Sequence, residues 1–413
     1  MEGAGLMLVY VVHRTGGVVG SSKSAEDVFR VLVGMGRPLT IVSHSQCVGL
    51  RQLTKQRGVA ATWLSPPRGV SFPATLDRRL PRRLASWAKN GVLDVFRRRK
   101  LPVLDQGRLA VVNSLGSHSL WESAAEAFSG PTALIVRESP RNFTFPSSPY
   151  PLEWAVAALS TYSFLLFVSS RGRDEWLAME SLRGKPSFHV PNCCDEEQVS
   201  ALLQQDRTAV RRELGFPADR FVAVCVASIQ FRKGQDILLD VFPDLLGAIP
   251  HLCLSLVGPA RGPWGDQVLR RLGEQSFAGR AVARGPRPDA LKYIHAADCL
   301  VLPSRAEAMP RVILEAMALG TPVVASDVDG IPEMIEHDVN GLLFSPDRPQ
   351  GLVEALAKIA GDPQAAATMA DRARERYWAN FSRAHLVKRY RNVFEELLGR
   401  VGAPGEGQEN KDE

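Results

Sequence analysis

The sequence predicts an α/β protein of two domains, each a parallel sheet covered by helices, facing one another across a cleft. Three observations carry this. The chain has 413 residues, too many for one ordinary core. Short β-branched runs alternate with helical patterns throughout, the signature of repeated β–α–β units. The alternation breaks near Pro191-Asn192, where a strand ends, two cysteines and an acidic run follow, and a fresh α/β pattern begins.

In the first half, strands are expected at 6–12, 39–43, 110–112, 132–136, 164–168 and 187–190. In the second half they are expected at 221–227, 252–257, 299–302, 323–325 and 342–344. The domains are therefore drawn as 1–190 and 191–382. A helix over 384–398 follows Arg383 and is placed to return to the first domain, and residues 401–413 read as a disordered tail. Open parallel sheets bind ligands where loops leave the carboxyl ends of their strands, so the chemistry is to be sought in those loops.

Composition narrows the classes. Hydrophobic residues are 45% and charged residues 23%, a normal globular balance. The most apolar stretch, 154–170, contains Ser160, Thr161, Tyr162 and Ser163 and reads as a helix running into a buried strand rather than a membrane span. The start of the sequence shows no basic, apolar and small-residue succession of a secretory signal. Six scattered cysteines, without a C-x-x-C pair or an H-E-x-x-H, indicate neither a disulfide framework nor a zinc site. The expectation is a cytoplasmic thiol protein. Charge is uneven: residues 1–190 hold 24 Lys and Arg against 13 Asp and Glu, a net +11, whereas 191–413 carry a net −5. The first half is thus expected to meet something anionic, although a solvated basic surface would look the same.

The strongest motif runs from Pro303 to Ala325, PSRAEAMPRVILEAMALGTPVVA. A strand gives way to a loop and a helix; Pro310 suits the first helical turn and Gly320 stops the helix. The amides of Met309, Arg311 and Val312 are then free to bind an anion, aided by the helix dipole. Glu307 precedes the helix and Glu315 lies inside it, roughly 12 Å further along at helical rise. Carboxylates so far apart cannot serve as a glycosidase pair on one bond. They can hold hydroxyls at opposite ends of an extended nucleotide-sugar. A lone E-x₇-E is usually a solvated helix face; the complete strand–loop–helix–Gly–strand setting argues otherwise.

This segment resembles the E-x₇-E block of retaining family 4 glycosyltransferases, which have the GT-B fold of two Rossmann-like domains. The likeness extends over 220–346 and, more weakly, over nearly the whole chain. ASIQFRKGQD (227–236) resembles the family's diphosphate loop, and Gly258 its next strand-end glycine. Gly285, Ala296-Ala297-Asp298, Gly330-Ile331-Pro332-Glu333 and Asn340-Gly341 follow in the family's order, and Val190-Pro191-Asn192 resembles its interdomain hinge. The resemblance implies that Lys233 with Arg232 neutralises the donor diphosphate. It implies that Glu315 holds the ribose and that Glu307 and the following amides hold sugar and phosphate. Departure of a nucleoside diphosphate builds negative charge, which such groups stabilise without a metal. No cofactor is implied, and no acidic D-x-D-like pair stands at a strand end.

The sequence departs from the family in places. Many relatives have Arg where Ser228 stands, and Arg232 is the candidate replacement charge. Ala308 and Pro310 replace common glycines, and a methyl at 308 would crowd the sugar if the backbone there needs positive φ. The first domain diverges more. Its Gly16-Gly17 loop lacks the dinucleotide G-x-G-x-x-G spacing and looks like a first-loop donor contact, or an ordinary Gly-rich turn. Asn113 and His118 follow a strand where relatives place a histidine near the transferred sugar; a hydrogen-bonded structural histidine is the plain alternative. Glu138 either binds an acceptor hydroxyl or braces the cleft. The segment 78–100, from Arg78 to Lys100, has nine basic residues and an apolar stripe of Leu80, Leu84, Trp87 and Val95. That is the pattern of a membrane-surface helix, or of a helix packed on its own domain. Aromatics suited to base stacking are few, so nucleic acid is not expected as a partner.

The expected activity is retaining transfer, by front-face substitution, from a nucleotide-sugar to a hydroxyl of a glycan, glycolipid or cell-envelope precursor. The place expected is the cytoplasm, with peripheral contact at the inner face of the membrane as a further expectation. Two alternatives stand beside it: a degenerate GT-B scaffold, motivated by Ser228 and Ala308, and another GT-B sugar-nucleotide enzyme.

Overall fold

The computed structural model describes residues 7–12, 20–43, 54–55, 61–64, 107–126, 128–274, 277 and 279–402. Gly16, Gly17, the basic segment 78–100 and the tail from 403 onward lie outside the described residues.

The first sheet comprises β1 (Met7–Val11), β2 (Leu39–Val42), β3 (Ala61–Leu64), β4 (Gly107–Asn113), β5 (Thr132–Val136), β6 (Phe164–Phe167) and β7 (Ser187–His189). They lie in the order β3-β2-β1-β4-β5-β6-β7, all parallel. The second comprises β8 (Phe221–Val226), β9 (Leu252–Val257), β10 (Ala281–Gly285), β11 (Cys299–Leu302), β12 (Val323–Ser326) and β13 (Leu342–Phe344). Its order is β10-β9-β8-β11-β12-β13, again all parallel. Each is a doubly wound sheet whose strand order reverses beside its first strand, between β1 and β4 and between β8 and β11. At such a switch point the loops diverge and leave a crevice.

Central strands read clearly in sequence because both their faces are covered. β9, Leu-Cys-Leu-Ser-Leu-Val, is buried along its whole length. The unforeseen strands, β3 and β10, are both sheet edges. β10 is partly exposed at four of its five positions and carries Arg284, so no apolar run marks it. The stretch 154–170 is a helix, Leu152–Ser160, leading into β6. Among the described residues no helix is long and apolar enough to cross a membrane.

The last helix, Arg383–Gly402, packs against the helix Gly20–Gly34 and against β4. Tyr390, Phe394 and Leu397 are buried there, and they join Leu8, Tyr10 and Phe29 of the first domain to Met317 and Tyr377 of the second in one continuous apolar cluster. Polar contacts reinforce the junction. Glu333 of the second domain caps the first-domain helix Ser170–Leu177, accepting from Ser169 Oγ at 2.7 Å and from the amides of Ser170 and Arg171 at 3.0 and 2.7 Å. Phe145 meets Phe231 edge-on across the gap, with ring centroids 5.5 Å apart.

Candidate functional site

The loop leaving β8 closes in a short 3₁₀ turn, Phe231–Lys233, and Gly234 turns it into the following helix at φ 67°. A Cβ at Gly234 would fall 1.9 Å from the Pro303 carbonyl oxygen, so only glycine lets this loop lie on the one leaving β11. Arg305 ties the two loops together. It pairs with Asp236 at 2.8 and 2.6 Å and stacks over Phe231, 4.3 Å from the ring centroid.

The result is a buried charge cluster at the second sheet's switch point. The Glu307 carboxylate accepts from Lys233 Nζ, from Ser304 Oγ at 3.0 Å, and pairs with Arg232 Nη1 at 3.2 Å. Arg232 also donates to the Ala306 carbonyl at 2.7 Å. Burial alone would raise the Glu307 carboxyl, but Lys233 and Arg232 outweigh it and hold the group below the usual carboxylate range. Lys233, Arg232 and Glu307, which the family resemblance assigns to one site, are brought into contact.

Beside the cluster, the helix Arg311–Leu319 begins at Pro310 and ends at Gly320, which adopts φ 71°. Pro310 is its N-cap, one position earlier than the sequence expectation. The amides of Arg311 and Val312 stand in the first turn, where the helix offers them no acceptor. Ala308 is not among the residues with positive φ, so its methyl imposes no backbone strain. Met309 is fixed from the hinge: its carbonyl accepts from the Asn192 side chain at 2.9 Å and its sulfur from the Asn192 amide at 3.1 Å.

The Arg311 side chain has a role unforeseen in the sequence. It is buried and donates to Asp27 at 2.6 Å and to Ser24 Oγ at 3.3 Å, both on the helix Gly20–Gly34 of the first domain.

Glu315, one turn further along, is partly buried, and among the described residues no hydrogen bond reaches its carboxylate. Burial raises its carboxyl above the ordinary range, opposed by Arg311 and Lys23. An acid that holds its proton more tightly when folded loses stability as pH rises from the ordinary carboxylate value through the raised one. Glu315→Gln is thus expected to raise the unfolding temperature of the protein at pH 7, with the gain vanishing below about pH 4. Thermal unfolding across that range checks it; a variant no more stable than wild type at pH 7 would mean that the carboxylate is not left unsatisfied.

Two other predicted donor contacts have structural duties. Ser228 Oγ accepts from Gln230 at 2.9 Å, and its carbonyl accepts from Gln235 at 3.1 Å. Gly258 has φ 147°, and a Cβ there would lie 2.1 Å from the Ala227 carbonyl oxygen, so this glycine is needed for the loops after β8 and β9 to pass.

In the first domain Ser114 follows β4 at φ 74°, an uncommon backbone for serine at a strand end. Asn113 Oδ1 accepts from Arg137 Nη2 at 3.1 Å, and Arg137 Nη1 donates to Asn192 at 2.7 Å. Arg137 thus joins the β4 loop to the hinge. The Glu138 carboxylate accepts from the Arg137 amide at 3.0 Å and from the Leu115 amide, bracing its own loops. Burial raises its carboxyl, while Arg137 and, across the cleft, Arg232 oppose the rise.

His118 stands apart from the charge cluster. Its Nδ1 is 2.8 Å from Tyr162 Oη, its Nε2 is 3.6 Å from Glu122, and Trp154 packs edge-on against its ring at 5.7 Å. Burial lowers its pKa, opposed by Glu122, and the ring is buried and hydrogen-bonded within the first domain. Sequence reasoning also missed Asp27 and Asp329, and it met Ser139 only as the end of an Arg137-Glu138-Ser139 block like that of some relatives, without a role. Asp329 left a local trace, the Asp-Gly pair of a turn.

Comparison with known proteins places this geometry. Residues 206–376 match the family model described as Glycosyl transferases group 1. A D-inositol 3-phosphate glycosyltransferase of Thermobispora bispora is 32% identical over 205 residues, 47% of this chain and 47% of that protein. A GDP-mannose-dependent monoacylated alpha-(1-6)-phosphatidylinositol monomannoside mannosyltransferase of Corynebacterium glutamicum is 30% identical over 219 residues, 51% of this chain and 56% of that one. The chain thus spans about half the length of the curated relatives it matches. Among solved structures, Anabaena Alr3699/HepE in complex with UDP-glucose is similar with a TM-score of 0.74 at 20% identity, covering 95% of this chain and 100% of that one. A sucrose-phosphate synthase of Thermosynechococcus elongatus gives a TM-score of 0.75 at 17% identity, covering 96% and 100%. The two-domain architecture is that of these proteins, the GT-B fold.

Proposed function

We propose that the chain, whose residues 206–376 match the family model described as Glycosyl transferases group 1, is a glycosyltransferase that takes its sugar from a nucleotide-sugar held by the second domain. The observation that carries this is the cluster of Lys233, Arg232 and Glu307 beside the helix start at Pro310. Without ligand, the two cations hold a carboxylate. A diphosphate offers them more charge and frees Glu307 to accept hydroxyls of the sugar. Charge that builds on the departing phosphate is met by Lys233, Arg232 and the first-turn amides. Glu315, part-buried and without a hydrogen bond, is the natural acceptor for ribose hydroxyls.

The acceptor falls to the first domain. Its net charge of +11 over residues 1–190 fits an anionic or lipid-linked glycan precursor. The names of the sequence relatives, an inositol phosphate and a phosphatidylinositol mannoside transferase, are of that chemical kind. Retention of anomeric configuration rests on the family resemblance, with the departing phosphate oxygen taking the acceptor proton in a front-face substitution.

The test is a turnover and hydrolysis screen across UDP-, GDP- and ADP-sugars, run with and without excess chelator. One donor class is expected to turn over, and its rate is expected to be unchanged by chelator, because the cationic role falls to side chains. Activity lost to chelator and restored by magnesium or manganese would assign that role to a metal. Binding without turnover of any donor would favour a scaffold.

A further inference from the structure

We propose that Asp329 is a positioning residue that makes the placement of Glu307 depend on contact between the two domains. Its carboxylate oxygen Oδ2 accepts two hydrogen bonds at 2.7 Å, one from the Glu307 amide in its own domain and one from Ser139 Oγ in the other. The Gly330 amide returns a bond to the Glu307 carbonyl at 3.1 Å, so the Glu307 peptide is held on both sides by the 329–330 turn. Ser139 is fully buried and Asp329 is 3% exposed, so neither bond is exchanged with water while the domains touch.

Two features distinguish this residue from an ordinary turn. Asp329 has φ 44°, a left-handed backbone that glycine adopts without strain. A turn selected only for its shape would be served better by glycine. Its other oxygen, Oδ1, is buried without a hydrogen bond, and Arg141 Nε is 3.6 Å away, also in the first domain. Burial raises the Asp329 carboxyl, and the bonds from Ser139 and Glu307 oppose that. The chain thus keeps a strained, desolvated acid where one oxygen joins Ser139 of one domain to Glu307 of the other. When the domains part, Ser139 leaves and Asp329 loses one of the two groups that orient it. Glu307 is then set for substrate only when the acceptor half is seated.

This rests on the reading of Glu307 as a donor-site residue, so the test has one arm that needs no substrate. Amide hydrogen exchange of the segment 303–309 is followed in the wild type, Ser139→Ala, Asp329→Gly and the double variant. Ser139→Ala changes only the first domain, yet it is expected to lower protection of this second-domain segment about tenfold, as for one lost hydrogen bond to a charged acceptor. Asp329→Gly relieves its own backbone but strands the Glu307 amide and the Ser139 hydroxyl, so the unfolding temperature should fall by a few degrees while the cooperative transition is kept and protection falls at least as far. In the double variant the serine change should add nothing further. Turnover with the donor found by the screen forms the second arm. There kcat is expected to fall about tenfold for Ser139→Ala and more for Asp329→Gly, with donor KM nearly constant. Unchanged protection in Ser139→Ala, or a fully active Asp329→Gly, overturns the proposal. Protection that falls as expected in a protein that binds no nucleotide-sugar leaves the coupling in place and removes the donor reading instead.

Discussion

Lys233→Ala is expected to cut turnover at least a hundredfold while the fold survives. Removing one preorganised transition-state donor typically costs roughly 10²–10³ in rate. Lys233 is the sharpest such donor here because its side chain is only 14% exposed and its ammonium is already aimed at the Glu307 carboxylate. The stability cost is smaller. Glu307 keeps Arg232 at 3.2 Å and Ser304 at 3.0 Å, so its charge is not abandoned. The 3₁₀ turn is held by its backbone and by Gly234, not by the lysine side chain. Circular dichroism and a melting curve confirm the fold, and initial rates with the donor found by the screen supply the result. A folded Lys233→Ala variant with near-native rate would take the diphosphate role away from this loop.

The second large effect concerns stability. Arg311 and Asp27 form an ion pair at 2.6 Å whose side chains are 7% and 8% exposed. Breaking a buried pair from one side leaves a charge without water or partner, at a cost of about 3–5 kcal/mol. Arg311→Ala is expected to fall in this range by denaturant unfolding, because Asp27 would keep only the Cys193 sulfur, 3.8 Å away, and the charge of Arg383, to which it is not bonded. Asp27→Ala should cost similarly. The double variant should be more stable than either single one, since no charge is then stranded. Three equal losses would show that the pair acts through packing and not through charge.

These two clusters differ in how far the sequence announces them. The strand, loop, helix and glycine stop around Glu307 and Glu315 are local, and periodicity with Pro310 and Gly320 is enough to place them. The closeness of Lys233 and Glu307, 74 residues apart, comes from family likeness, because no local pattern encodes a contact at that separation. Asp27 and Arg311 are 284 residues apart; Asp27 stands in no motif, and the motif around Arg311 does not announce what its side chain meets. His118 was legible in place but not in direction. That direction is set by Trp154 and Tyr162, which the helix Leu152–Ser160 and its following turn close around it. The edge strand β10 escaped for want of a second buried face. Glu315 and the cap at Glu333 were visible as residues, while the part each plays depends on what lies across the cleft.

The returning helix Arg383–Gly402 sets an order of events during synthesis. The first domain's strands are complete by residue 190, yet Tyr390 and Phe394, which cover part of its apolar face, come some two hundred residues later. At ribosomal speeds of about 5–20 residues per second, that face waits on the order of 10–40 seconds for its cover. The second domain, contiguous in sequence, can close in the interval. The earlier-made half is therefore the later-finished one, and it is the half that a nascent chain must shield from neighbours.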